Sequence, residues 1–309
     1  MKGLVTGGGG FIGSNLVRLL LREGVEVRVL DDFSTGNRKN LADLGASIDV
    51  IEGDLRDARA VERAVKGVQT IFHLAALPSV ARSVEDPYTS NDVNVTGTLR
   101  LLLAARDHQV ERFVFSSSSS VYGDTPVLPK REDMTPMPLS PYALQKLTGE
   151  HYCRLFLRLY GLRAYPLRYF NVYGPRQNPR SQYAAVIPLF VEAIRAGQSP
   201  VIYGDGGQTR DFTFVEDVAR ANFLCSSAPA EAAGQPMNVG CGGRISIREL
   251  AERLVAIMGS SVKPVYKPPR AGDVRDSQAD TSRARENIGW IPRAQLDEGL
   301  RRTVEWFTT

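Results

Sequence analysis

The sequence predicts an α/β protein: a doubly wound parallel sheet with helices on both faces, followed by a smaller C-terminal α/β half. Three observations predict it. The first half of the chain alternates short apolar strands with amphipathic helices, the pattern of βαβ units. A glycine-rich run ends the first strand and opens the first helix. The chain has 309 residues, 43% hydrophobic and 23% charged, which suits roughly two folded domains and argues against disorder.

The elements follow in order. Residues 2–6 read as a strand. Residues 11–22 set Ile12, Leu16, Leu19 and Leu20 at helical spacing. Residues 25–30 form a second strand that ends at Asp31 and Asp32, and 48–51 a third that ends at Gly53 and Asp54. A short helix over 58–65, a strand over 70–74, a long helix over 92–105 and a strand over 112–116 complete the alternation. Residues 142–160 then read as a long helix and 164–170 as a strand. Pro, Gly and Asn thicken into a loop over 174–180. Helices are expected over 187–196, 216–224 and 246–258, with Ser246 and Glu249 set as a capping box, and over 296–307. Residues 1–165 should form the nucleotide-binding half, with 212–240 returning to it, and 166–309 the second half. The stretch 263–272 is either a linker or a ligand-binding loop.

Composition narrows the function classes. The net charge of +4 comes from 38 basic and 34 acidic residues scattered along the chain, without the clustering a nucleic-acid partner needs. No apolar run approaches the roughly 18 residues of a membrane span. The opening residues read as a strand, not as a secretion signal. Cys153, Cys225 and Cys241 are odd in number and far apart, which predicts core thiols in a reducing, cytoplasmic setting and no zinc site.

Gly7, Gly10 and Gly13 stand at the spacing G-x-x-G-x-x-G between a strand and a helix. Without side chains there, backbone amides can approach a pyrophosphate, and the helix start adds unpaired N–H groups. Asp31 lies 18 residues after Gly13, where a carboxylate meets the adenosine ribose of a dinucleotide and repels a 2′-phosphate. NAD is therefore expected over NADP, although Arg38 and Lys39 keep the alternative open. Asp54, ending the third strand, is placed to meet the adenine.

Tyr142 and Lys146 sit four residues apart on a predicted helix and so share a face. Ser118 lies 24 residues earlier, just past the fifth strand. Phenols are poor bases at neutral pH, but a nearby ammonium and a cationic nicotinamide both favour the phenolate.

With these residues assembled, the chain resembles the extended short-chain dehydrogenase/reductase family, in its UDP-hexose 4-epimerase branch, over essentially its whole length. The resemblance rests on Gly7 to Gly13, Asp31, Gly53-Asp54, His73 to Ala76, the Ser116 to Gly123 run, Tyr142 to Lys146, and Arg168 to Gly174. It implies a Rossmann fold and a catalytic triad of Ser118, Tyr142 and Lys146. It implies that Phe11, Ile12, Asp32, Leu55, Leu74, Ala75, Ala76, Asn94, Ser116 and Tyr169 line the cofactor. By this reading Tyr142 takes the proton of the sugar 4-hydroxyl, hydride leaves C4 for the nicotinamide, and the 4-keto sugar turns over before hydride returns. His73, inside a strand, is read as packing and not as a base.

The resemblance also places the UDP-sugar in the second half. Arg210 and Arg270 match the diphosphate-binding arginines, with Asp273 beside the latter; planar guanidinium donors suit phosphate. Asn171 matches a contact to phosphate or sugar, and Val186 and Tyr203 the packing around uracil and ribose. Ser277 matches the gatekeeper beside the hexose, where a small residue leaves room for a 2-acetamido group. A dehydratase or decarboxylase would need an acid beside the catalytic serine, and Ser119 and Ser120 stand there instead. A 4-reductase or a non-catalytic NAD-binding scaffold is a further alternative. The family dimerises through two helices, for which 92–105 and 142–160 are the candidates.

Overall fold

The computed structural model describes residues 1–178, 185–269 and 274–308. Six strands come from the first half: β1 (Lys2–Thr6), β2 (Glu26–Asp31), β3 (Ile48–Glu52), β4 (Thr70–His73), β5 (Arg112–Ser118) and β6 (Arg163–Tyr169). A later strand, Met237–Val239, pairs with β6, so the parallel sheet runs Met237–Val239, β6, β5, β4, β1, β2, β3. The strand order reverses between β1 and β4, which opens a crevice at their carboxyl ends.

Alternate residues of each strand feed two cores. Val5, Phe72 and Val114 face helix α1 (Phe11–Arg22) and the helix Val215–Cys225. Leu4, Ile71 and Phe113 face α2 (Ala58–Val65), α5 (Gly97–Asp107) and α6 (Pro141–Tyr160). Cys153 and Cys225 are buried free thiols in these cores, and Cys241 is partly exposed. A third core joins Val186–Arg195, Ile247–Ile257 and Leu296–Thr308 in the second half. Among the described residues, no helix is long and apolar enough to cross a membrane.

Three local differences from the sequence reading bear on the site. The helix expected over 92–105 begins earlier and is interrupted: two short helices, α3 (Val80–Glu85) and α4 (Pro87–Asn91), lead into a π-helical turn, Asp92–Thr96, before α5. The β5 strand runs on to Ser118 instead of stopping at Ser116, because it stays paired with β6 to its last residue. The capping box is half formed: the Ser246 hydroxyl accepts the Glu249 N–H at 3.1 Å, but the Glu249 carboxylate pairs with Arg253.

Helix α6 owes its start to Ser140, whose hydroxyl accepts the Ala143 N–H at 3.1 Å, and to Pro141 in its first turn. Gly161 ends it in the left-handed conformation. This 20-residue helix carries Tyr142 and Lys146 against the end of β5.

Candidate active site

A cavity of about 1030 Å³ opens over the carboxyl ends of the sheet. The glycine loop forms one wall. Gly7 has φ +72°, and a Cβ there would lie 2.7 Å from the Ala75 amide nitrogen. A Cβ on Gly13 would lie 2.1 Å from the Gly7 carbonyl oxygen. A side chain at Gly7 would collide with the backbone of Leu74 and Ala75, and one at Gly13 would push helix α1 off the glycine loop. Gly10 caps α1 without a side-chain bond, so the first-turn amides stay available to an anion. Phe11 and Ile12 line the same wall.

Asp31 closes the far end of β2. Its carboxylate accepts the Gly9 and Phe33 N–H groups, each at 2.8 Å, and also lines the cavity. Burial pushes its pKa up despite those bonds. Arg38 is drawn away, paired with Glu52 and stacked 4.2 Å over the Phe33 ring. A carboxylate thus faces the cavity here while the nearest arginine is engaged elsewhere, which fits NAD and not NADP. Asp32 accepts the Ser34 N–H. Asp54 lines the cavity with Leu55, and its carboxylate is held below the usual range by Arg56, which donates to it from its backbone N–H, Nε and Nη2. Leu74, Ala75 and Ala76 complete this side.

Ser118, Tyr142 and Lys146 converge on the same cavity with Ser116 and Tyr169. Tyr142 is hydrogen-bonded to Ser118, which favours the phenolate, but burial outweighs it and pushes the phenol up to about 12. The Ser118 hydroxyl also accepts from the Ser120 hydroxyl at 2.9 Å. Lys146 is buried, and desolvation pulls it down to about 8. Its Nζ donates to the Ser116 carbonyl oxygen at 2.7 Å and stands 5.8 Å from the Tyr142 ring centre. In the protein alone, the ammonium therefore does not make Tyr142 a base at neutral pH. Tyr169 is tethered through its hydroxyl to Asn222 at 2.9 Å.

His73 is structural, as the sequence suggested. Burial, with Lys146 nearby, drops its pKa to about 3. Thr98 donates its hydroxyl to the Asn94 carbonyl, so it must accept from His73 Nε2; Nδ1 then accepts from Thr6, each bond at 2.8 Å. A neutral imidazole stitches β1 and β4 to α5.

Asn94, expected against the cofactor, lies one layer back and does not line the cavity. The π-helical turn aims its amide at the 74–79 loop: Oδ1 accepts the Leu77 N–H at 2.8 Å, while Nδ2 donates to Gln145 at 2.8 Å and to the Leu77 carbonyl at 3.2 Å. Both of its amide hydrogens are spent on protein.

A second cavity of about 270 Å³ adjoins the first in the other half. Val186 and Tyr203 line it, and Asn171 and Arg210 line both. Asn171 has φ +20° and donates to the Ser277 hydroxyl at 3.1 Å and to the Asp211 carbonyl at 3.0 Å. Ser277 sits on the wall of the larger cavity. Arg270 and Asp273 lie outside the described residues. The sequence reading missed Lys130 and Asp276 on the larger cavity wall, and Gln177 and Gln208, each with a buried side-chain oxygen lacking a partner. No spacing pattern marks them; only the pairing of 276–280 with the loop after β5 brings Lys130 in.

The sequence and the fold match known proteins. Residues 3–240 match the model of the NAD dependent epimerase/dehydratase family. The chain is 45% identical to a UDP-glucose 4-epimerase of Mycolicibacterium smegmatis, covering 99% of this chain and 98% of that protein. It superposes with a TM-score of 0.95 on a UDP-N-acetylglucosamine 4-epimerase from Methanobrevibacter ruminantium, solved with UDP-N-acetylmuramic acid, at 41% identity over 99% of this chain and 98% of the other. A Thermus thermophilus UDP-glucose 4-epimerase solved with NAD gives 0.91 at 38% identity, covering 100% and 99%. The chain belongs to the NAD dependent epimerase/dehydratase family.

Proposed function

We propose that this protein is an NAD-dependent UDP-hexose 4-epimerase that takes UDP-glucose/UDP-galactose and also their 2-acetamido counterparts. The observation that carries this is one cavity in which a dinucleotide cradle, Ser118, Tyr142 and Lys146, and the Arg210–Ser277 wall all meet. The residues fit the cofactor: glycines where a Cβ would collide, open helix amides, and Asp31 at the ribose position. Relatives named for epimerisation of UDP-glucose and of UDP-N-acetylglucosamine support the reaction.

Bound NAD supplies a reversible hydride acceptor. Residues of this chain do the rest. Tyr142 holds the proton of the sugar 4-oxygen, with Ser118 bonded to the same group. Lys146, held on the Ser116 carbonyl, fixes a positive charge at the end of β5, on the same cavity as the phenol. With the cofactor bound, its cationic ring would favour the phenolate, and Tyr142 would then serve as the base. Arg210 holds the nucleotide diphosphate and Val186 and Tyr203 the nucleoside, while Asn171, its Nδ2 engaged by Ser277 and Asp211, keeps an amide oxygen to accept from a sugar hydroxyl. Both lone pairs of the Ser277 hydroxyl are engaged, by Asn171 Nδ2 at 3.1 Å and the Asp211 N–H at 3.3 Å. Its own hydrogen is left to donate, and the small side chain leaves space beside it. A 2-acetamido carbonyl is an acceptor that suits that donor.

Residues 1–165 with 212–240 would hold the dinucleotide, and 166–309 the sugar nucleotide. The protein would act in the cytoplasm as a homodimer. An apolar row on α6, Leu144, Leu155 and Leu159, is exposed beside Val84 and Tyr88, and supports pairing through α6.

The test uses purified protein without added NAD, incubated with UDP-GlcNAc or UDP-glucose and followed by proton NMR of the anomeric signals. Conversion of both to their galacto epimers is expected. Ser277→Tyr should abolish turnover of the acetylated substrate and spare the plain one. Turnover of neither sugar by the wild type would overturn the reading.

A further inference from the structure

Asp211 is fully buried and follows directly on the short strand Thr209–Arg210. Its carboxylate accepts three main-chain N–H groups from two separate segments: Cys241 at 2.7 Å and Gly242 at 2.9 Å from one turn, and Ala279 at 2.9 Å from the 274–280 segment. Its own main chain faces the substrate side: the N–H donates to the Ser277 hydroxyl at 3.3 Å, and the carbonyl accepts from Asn171 at 3.0 Å. Gly240 leaves the room, since a Cβ there would lie 2.5 Å from the Ala279 Cβ and 3.0 Å from an Asp211 carboxylate oxygen. A buried carboxylate held by amides alone is a costly way to join three segments, because its desolvation has no opposite charge to offset it.

We propose that Asp211 is a positioning residue for the sugar-nucleotide site: its carboxylate fixes the 274–280 segment and the 240–242 turn against the Arg210 strand, and so sets where Ser277, Asn171 and Arg210 meet the substrate. This rests on the UDP-sugar reading above. An amide in its place offers one acceptor oxygen and turns an NH₂ toward N–H donors, so at least one of the three bonds is lost.

Protonation has a related effect, because a carboxyl hydrogen competes with three donors for two oxygens. Burial pushes Asp211 up to about 6. The charged or titratable groups on the elements packed around it are Arg210 on its own strand, Cys241 on the turn, and Arg275, Asp276 and Asp280 on the 274–280 segment. Cys241 is pushed up to about 12 and stays a neutral thiol in this range.

The experiment compares wild type and Asp211→Asn for KM and kcat on UDP-GlcNAc and UDP-glucose, for bound NAD, and for UDP affinity by calorimetry. In the variant, KM for UDP-GlcNAc should rise at least tenfold and UDP should bind correspondingly weaker. The ratio of acetylated to plain turnover should fall, and NAD content should stay unchanged, since the dinucleotide cradle lies on the other side of the cleft. A folded variant with wild-type KM and an unchanged substrate ratio overturns the proposal. If the variant does not fold, the wild type decides: KM should rise severalfold as pH falls from 7.5 to 5, and a flat KM overturns the proposal. Absence of epimerisation by the wild type would refute the enzymatic reading instead, while the UDP affinities would still report on Asp211.

Discussion

Lys146 donates its ammonium to the carbonyl oxygen of Ser116 at 2.7 Å, which parks a buried cation at the tip of β5 and not against the Tyr142 phenol. The charge is held where a cofactor ribose would arrive, and it is held at the expense of stability. Its pKa of about 8 lies below the ordinary 10.5, so the unfolded chain binds the proton more tightly. Stability should therefore rise as pH climbs from about 8 to 10.5, with the full penalty present below 8. Lys146→Met should raise the denaturation midpoint, by roughly 1–3 kcal/mol in free energy, while epimerisation falls by several orders of magnitude. Loss of both stability and activity on denaturant titration would contradict this.

Gln145 stands between Tyr142 and Lys146, yet its amide points away from the cavity. Its Oε1 accepts from Ser90 at 2.9 Å and from Asn94 at 2.8 Å. Through Asn94 it reaches the Leu77 backbone, and so the loop that lines the cofactor space. Gln145→Ala leaves two buried donors short of an acceptor, a loss of about 1–3 kcal/mol. Weaker NAD retention after gel filtration is expected, with KM for the UDP-sugar little changed. Retention equal to wild type would show that the loop holds without this link.

Glu150 and Arg168 form a buried, two-pronged ion pair, at 2.9 and 2.7 Å, on which Ser117 also converges. Arg168 Nη1 already lacks a partner. Glu150→Gln leaves the guanidinium without a counter-charge and should cost about 3–5 kcal/mol in urea unfolding. Replacing both residues with apolar ones of similar volume should recover most of that loss. A single variant with wild-type stability would refute the argument.

Much of the frame was legible because its signals are local. Strand and helix periods, the Gly7 to Gly13 spacing and the four-residue step from Tyr142 to Lys146 need no knowledge of distant contacts. The placement of Asn94 was not legible, because a π-helical turn is set by how α4 and α5 pack on α6, and no residue in Asp92–Thr96 announces it. The effect of Lys146 on Tyr142 was legible only in part. Spacing put both on one face, but the distance of the ammonium depends on a carbonyl of β5. Lys130 and Asp211 escaped notice for the same reason: their partners at 278–280 and 240–242 are remote in sequence and meet only in the folded chain.

The 274–280 segment is moored on two banks. On one side Lys130 and Gln278, and Asp280 and Lys130, exchange main-chain bonds, and Asn238 holds the Asp280 carbonyl. On the other, Ser277 N–H bonds to the Thr209 carbonyl and Ala279 N–H to Asp211. These moorings use backbone atoms of the segment, which are the same whatever side chain is carried, and the side chains of Arg275, Asp276 and Gln278 add bonds to Asp205, Thr209 and the Gly242 carbonyl. The segment therefore behaves as a gauge block. An exchange at 277 keeps the main-chain moorings on both banks but gives up the hydroxyl that Asn171 and the Asp211 N–H share, so resizing the opening there also loosens the link between them.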